Sequence, residues 1–141
     1  MDVTEPVARQ RAHVLVVDDE YIVRRFASRV LADAGYSVAT ADDGAEALEV
    51  LREKGAAVDA VVSDIVMPRL NGVQLLEALA VSHPLVPVIL MSGYAPTQLS
   101  ERGIAAPCSV LSKPFAPELL LAEVQRCLHK ASPESPAPSA A

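Results

Sequence analysis

The chain has 141 residues and a net charge of −6, which gives room for one domain with tails and the wrong sign for a nucleic-acid footprint, since that needs a clustered basic face. Hydrophobic residues make up 51% but aromatics only 4%, so the core is built from Val, Leu, Ile and Ala. The longest apolar runs are of strand length, far short of the ~20 residues of a membrane helix, and residues 1–12 are polar with no signal-peptide stretch; a soluble cytoplasmic protein is expected.

Taken in chain order, residues 1–12 read as a flexible N-terminal segment. "HVLVV" (13–17) is a β-branched run and a first strand. Over 21–34, Ile22, Phe26 and Val30 recur at i, i+4 and i+8 as one helical stripe, and Gly35 ends it. "YSVAT" is a second strand. "DGAEALEVLREKG" is a helix with acidic residues early, Arg52 and Lys54 late, and Gly55 as its stop, an order that suits the macrodipole. "VDAVVSD" is a third strand, and 72–82 is helical with Val73, Leu76 and Leu79 on one face. "PVILM" is a fourth strand, followed by a short, weak helix over 96–102. "CSVLS" is a fifth strand. The last helix, 117–130, carries Leu120, Val124 and Leu128 on one stripe with Leu121 beside it. The tail 131–141 holds only Ala, Ser, Pro and one Glu and cannot repay ordering.

Strands alternating with helices predict an α/β fold, a doubly wound five-stranded parallel sheet of order 2-1-3-4-5 with helices on both faces. The strands are continuous apolar runs, as sheets covered on both faces require. Arg9, Arg11, Arg24, Arg25 and Arg29 are the nearest approach to a basic cluster and are expected along the exposed side of one helix. Cys108 and Cys127 have no metal-like spacing; they read as buried small hydrophobes in a reducing compartment rather than as disulfide partners.

Parallel strands share one carboxyl edge, where ligands bind at the switch point. Asp18 and Asp19 follow strand one, Asp64 follows strand three, Ser92 and Gly93 follow strand four, and Lys113 follows strand five. Each has an ordinary explanation alone. Asp19 can cap a helix, Asp64 can open the turn "DIVMPRLNG", "SG" is a common turn, and a lone lysine is usually solvated. Together they put one chemistry on one edge. Three carboxylates repel unless protons or a cation intervene, and an oxygen-only ligand set suits Mg²⁺. Lys113 offers a point charge for phosphate, Ser92 a hydroxyl, and Asp64 a carboxylate nucleophile. Strand two ends in the less distinctive "TADDG".

The motifs "VLVVDDE", "VVSDIVMPRLNG", "VILMSGYA" and "LSKPF", in this order and spacing, strongly resemble the receiver domain of two-component response regulators, over about residues 12–130 (a receiver domain at 13–130). The resemblance implies that Asp64 is the phosphoacceptor, charged from a phosphohistidine on a sensor histidine kinase or histidine phosphotransfer protein. It implies that Asp19 directly, and Asp18 through water, hold Mg²⁺ with Asp64 and the Val66 carbonyl. Ser92 matches the hydroxyl that moves toward the phosphoryl group, Lys113 the lysine that pairs with it, and the bond to Pro114 is expected to be cis. The output implied is phosphorylation-dependent binding of a downstream protein, or phosphorelay, with no turnover as an enzyme, no direct DNA binding and no membrane partner. Monomer or weak dimer stays open.

Two departures stand out. The family commonly has Tyr or Phe where this chain has Val110, so the usual rotating aromatic is missing. Tyr94 and Val66 flank the site and are expected to shield the acyl phosphate from water. No output domain is evident in the sequence, so a stand-alone receiver and one excised from a hybrid histidine kinase are both expected forms. A small Mg²⁺-dependent phosphatase with an aspartyl nucleophile is a further alternative. Val66 speaks against it, because such enzymes carry a second Asp two residues after the nucleophile. An unphosphorylated scaffold of the same fold is the remaining one.

Overall fold

The computed structural model describes residues 12–54, 57–93 and 107–131. Among these, five strands and four helices run in the order β1 (His13–Val17), α1 (Tyr21–Asp33), β2 (Ser37–Ala41), α2 (Gly44–Lys54), β3 (Ala60–Asp64), α3 (Gly72–Ser82), β4 (Val88–Ser92), β5 (Ser109–Ser112) and α4 (Pro117–Ala131). The sheet order is β2-β1-β3-β4-β5 and every pair is parallel, as the alternation of strands and helices predicts. The short helix expected at 96–102 and Tyr94 lie outside the described residues.

Side chains alternate across the sheet because a strand has a period of two. Leu15 and Val17 join Val61, Leu90 and the buried faces of α2 and α3 in one core layer. Val14 and Val16 join Val62, Ile89, Met91 and the buried faces of α1 and α4 in the other. Both faces of β3 and β4 are therefore buried, which is why these strands read as unbroken apolar runs.

Helix ends follow from local chemistry. Gly35 takes φ 104°, and its N–H donates to Ala32 while the Tyr36 N–H donates to Leu31; this pairing closes the last turn of α1. At α3, Asn71 accepts from the Gln74 N–H at 2.8 Å and Gln74 accepts from the Asn71 N–H at 2.9 Å, a reciprocal cap. Pro117 opens α4, where its missing N–H costs nothing.

Three expectations are corrected here. Of the Ile22–Phe26–Val30 stripe of α1, only Val30 packs against the core, partly buried. Ala27 and Leu31 face the sheet, whereas Ile22 and Phe26 are exposed at 76% and 40%. Ala27 is small and lets the helix approach closely, so it carries the contact without a strong apolar signature. Arg24 does not point to solvent with its neighbours; its guanidinium folds onto the Asp18 carbonyl and Asp42. Finally, Cys108 and Cys127 are joined in a disulfide, with Cα atoms 6.1 Å apart. α4 runs back along β5, so residue 127 returns to the strand's entry, a closeness that linear spacing does not reveal. Closing a loop of this span stabilises by about 3 kcal/mol in the chain-entropy picture.

Candidate functional site

Register brings the site together. Val17 pairs with Ser63, Asp64 with Met91, and Ser92 with Ser112. Asp18, Asp64, Ser92 and Lys113 therefore lie at one carboxyl edge, with β1 and β3 adjacent at the switch point. The Lys113 N–H donates to the Ser92 carbonyl at 2.8 Å, which carries the β4–β5 pairing past the end of the strands. The Lys113–Pro114 peptide is cis.

One carboxylate oxygen from each of Asp18, Asp19 and Asp64 lies within 4.8 Å of the other two. Asp18, Asp64 and Ser92 are buried, and Asp19 is exposed. Lys113 Nζ stands 3.1 Å from Asp64 Oδ1, 3.3 Å from Asp18 Oδ2 and 3.9 Å from Glu20 Oε1. Asp64 Oδ1 also accepts from the Ile65 N–H at 2.9 Å, and Asp18 Oδ1 from the Glu20 N–H at 2.8 Å. One ammonium thus faces several carboxylates.

The titration of these groups reflects that imbalance. Burial pushes the Asp18 carboxyl above its ordinary value, and the charge of Asp64 adds to it; the Glu20 amide and Lys113 only partly compensate. Burial likewise raises Asp64 against the pull of Lys113 and the Ile65 amide. For Lys113, burial acts downward, but its contacts with Asp64 and Asp18 prevail and its pKa rises. Three carboxylates with no His or Cys among them form an all-oxygen donor set, the kind a hard divalent cation takes.

The residues flanking the edge are less uniform. Val66 is 62% exposed. Val110 is half-buried against the core layer under α2 and α3, so it serves as packing. Pro114 is exposed. Four further residues, to which sequence reasoning assigned no role, make polar contacts here: Glu20 and Arg69, which lie inside the quoted motifs, and Arg24 and Asp43, which lie outside them. A Gly72 Cβ would lie 2.3 Å from the Asp64 carbonyl oxygen, so the "NG" of the second motif marks a close approach as well as a turn.

Residues 14–125 match the response regulator receiver domain. The chain belongs to this family. As a receiver it is 42% identical over 120 residues to the sensor kinase CckA of Brucella abortus, covering 84% of this chain and 13% of the kinase. It is 40% identical over 124 residues to the response regulator MprA of a Mycobacterium species (strain KMS), covering 86% of this chain and 52% of that regulator. It thus spans about half the length of the MprA relatives and a small part of the kinase. Among solved structures, a response regulator receiver protein from Sinorhizobium medicae superposes with a TM-score of 0.78 at 32% identity, covering 88% of this chain and 99% of that one. The receiver also superposes on the chemotaxis protein CheY4 of Vibrio cholerae with a TM-score of 0.75 at 36% identity, covering 82% and 98%.

Proposed function

We propose that this receiver accepts a phosphoryl group on Asp64 from a phosphohistidine of a sensor kinase or phosphotransfer protein, and signals by protein binding or onward relay. The observation that carries this is Lys113 Nζ at 3.1 Å from Asp64 and 3.3 Å from Asp18, inside a pocket of three clustered carboxylates. With Asp64 Oδ1 held by Lys113 and the Ile65 amide, the other carboxylate oxygen attacks phosphorus. An O–P bond forms as the P–N bond breaks, and the electron pair leaves with the imidazole nitrogen, which takes up a proton from water.

Asp18, Asp19, Asp64 and the Val66 carbonyl would hold Mg²⁺, which supplies charge neutralisation for transferring phosphoryl oxygens. Lys113 adds a fixed positive charge on the same side. Ser92 donates a hydrogen bond to the new phosphoryl group. Val66 and, from its place two residues past Ser92 in the sequence, Tyr94 slow its hydrolysis. We take the receiver domain to span 13–130, with the last helix reaching Ala131. Among the described residues no helix is long and apolar enough to cross a membrane, and we place the protein in the cytoplasm, where kinase phosphohistidines are made.

Acetyl phosphate tests the reading directly. With Mg²⁺ the protein gains one phosphoryl mass, and Asp64→Asn abolishes the gain; labelling that persists in Asp64→Asn would remove Asp64 from its role. The identity to a sensor kinase favours a second reading, a receiver within a hybrid kinase. Detecting the product in cells as part of a longer kinase polypeptide, or at the size of this chain, separates the two.

A further inference from the structure

The loop between β2 and α2 contributes no atom to the carboxylate pocket, yet both loops that build the pocket are tied to it. On one side, the Asp18 N–H donates to the Ala41 carbonyl at 3.2 Å. Arg24 Nη1 donates to the Asp18 carbonyl at 2.7 Å and lies 3.1 Å from Asp42 Oδ1. One guanidinium nitrogen therefore holds the backbone of the Asp18–Asp19 loop against the β2–α2 loop. On the other side, Arg69 Nε donates to Asp43 Oδ2 at 2.7 Å, and the Gly44 N–H donates to the Leu70 carbonyl at 3.1 Å. These contacts fix the segment that runs from Asp64 through Val66 to α3.

The anchor itself is rigid. Asp43 is buried at 4% exposure, and its other oxygen accepts from the Glu46 N–H at 2.9 Å, capping α2. Glu46 reaches back to the Asp42 N–H at 2.7 Å. Arg69 adopts φ 66°, a region that disfavours any residue with a Cβ, and its side chain ends on the one buried carboxylate of the anchor. A Cβ on Gly44 would lie 2.5 Å from the Leu70 carbonyl oxygen, so the two loops touch backbone to backbone.

We propose that Asp42 and Asp43 are positioning residues for the metal pocket: through Arg24 they set the Asp18–Asp19 loop, and through Arg69 they set the Val66 loop. Neither touches the cation. They decide how far apart the two sets of oxygen ligands stand, and groups that orient metal ligands matter nearly as much as the ligands themselves. The proposal rests on the Mg²⁺ reading above.

Arg69→Gly is the informative variant. It removes the guanidinium while relieving the positive φ, so the melting temperature stays near that of the parent. Expected is a loss of about tenfold in Mg²⁺ affinity by calorimetric titration. Asp43→Asn keeps the oxygen that caps α2 and weakens binding comparably, and the double variant is no weaker than either single one, because both remove one contact. In metal-free protein, hydrogen exchange at the Gly44 amide speeds up in Arg69→Gly. If the parent binds Mg²⁺ and both single variants bind it equally well, the anchor is overturned. If the parent binds no Mg²⁺, the metal reading fails by itself, and amide exchange decides the anchor: protection of Gly44 unchanged in Arg69→Gly overturns it too.

Discussion

Asp64 shows how one residue is set by its backbone neighbours. Its side chain meets Lys113 and the Ile65 amide, while its own carbonyl oxygen lies where a Cβ on Gly72 would come within 2.3 Å. The Gly72 N–H also donates to the Ile65 carbonyl at 2.8 Å. The first turn of α3 is thus pressed onto the backbone that carries the pocket. Gly72→Ala is expected to destabilise the fold by about 1–3 kcal/mol, the usual penalty of forced overpacking, read as a shift of the urea midpoint at constant slope. A midpoint equal to the parent's would mean that the turn yields at no cost. At this scale the sequence was informative wherever a polar residue interrupts an apolar run: Asp18, Asp64, Ser92 and Lys113 each do so at a strand end. Arg24, Asp43 and Arg69 were not legible, because their partners lie on other loops and nothing in their linear context distinguishes them from solvated charges. The cysteine pair was missed for the same reason, as its closeness exists only once α4 has folded back.

Helix α1 carries the lesson for elements. Its existence and ends follow from periodicity and Gly35, but the phase of its buried face does not. Val23, Ala27 and Leu31 pack toward the sheet, some partly, and the more apolar Ile22 and Phe26 are left outside. Phe26 stands 6.0 Å, centroid to centroid, from Phe115, two residues past Lys113, and Leu119 is exposed one turn further on. An apolar surface therefore borders the carboxylate pocket. Under the proposed function, uncovered side chains of this size suit the docking of a partner that brings a phosphohistidine to Asp64. Ile22→Asp is expected to slow phosphoryl transfer from a phosphorylated histidine phosphotransfer protein by about tenfold, since a central apolar contact is worth roughly 1–2 kcal/mol. Labelling by acetyl phosphate, which needs no such surface, should be unchanged. Equal slowing with both donors would place the defect in the pocket and not in docking.

The fold as a whole gathers negative charge at one edge of an already acidic chain, with Lys113 as the cation that the described ion pairs bring to Asp64 and Asp18. The architecture was legible from the alternation of strand and helix, because five short apolar runs leave few ways to cover both faces of a sheet. The energetics of the edge follow from burial. The pKa values of Asp18 and Asp64 are raised in the folded protein, so the folded state binds protons more readily than the unfolded chain. Without metal, ionisation of these groups costs stability; the cost is fully present above their folded pKa values and fades as pH falls through them toward the ordinary carboxylate value. A divalent cation binds the ionised form and releases protons as it does so. Mg²⁺ is therefore expected to raise the melting temperature clearly at neutral pH and much less in mild acid. Asp18→Asn removes one of the buried charges, so the metal-free protein should melt higher than the parent while losing most of the gain from Mg²⁺. Thermal melts of both proteins, with Mg²⁺ and with a chelator, check each part. A gain that is independent of pH, or one that survives in Asp18→Asn, would show that the cation acts elsewhere on the acidic surface.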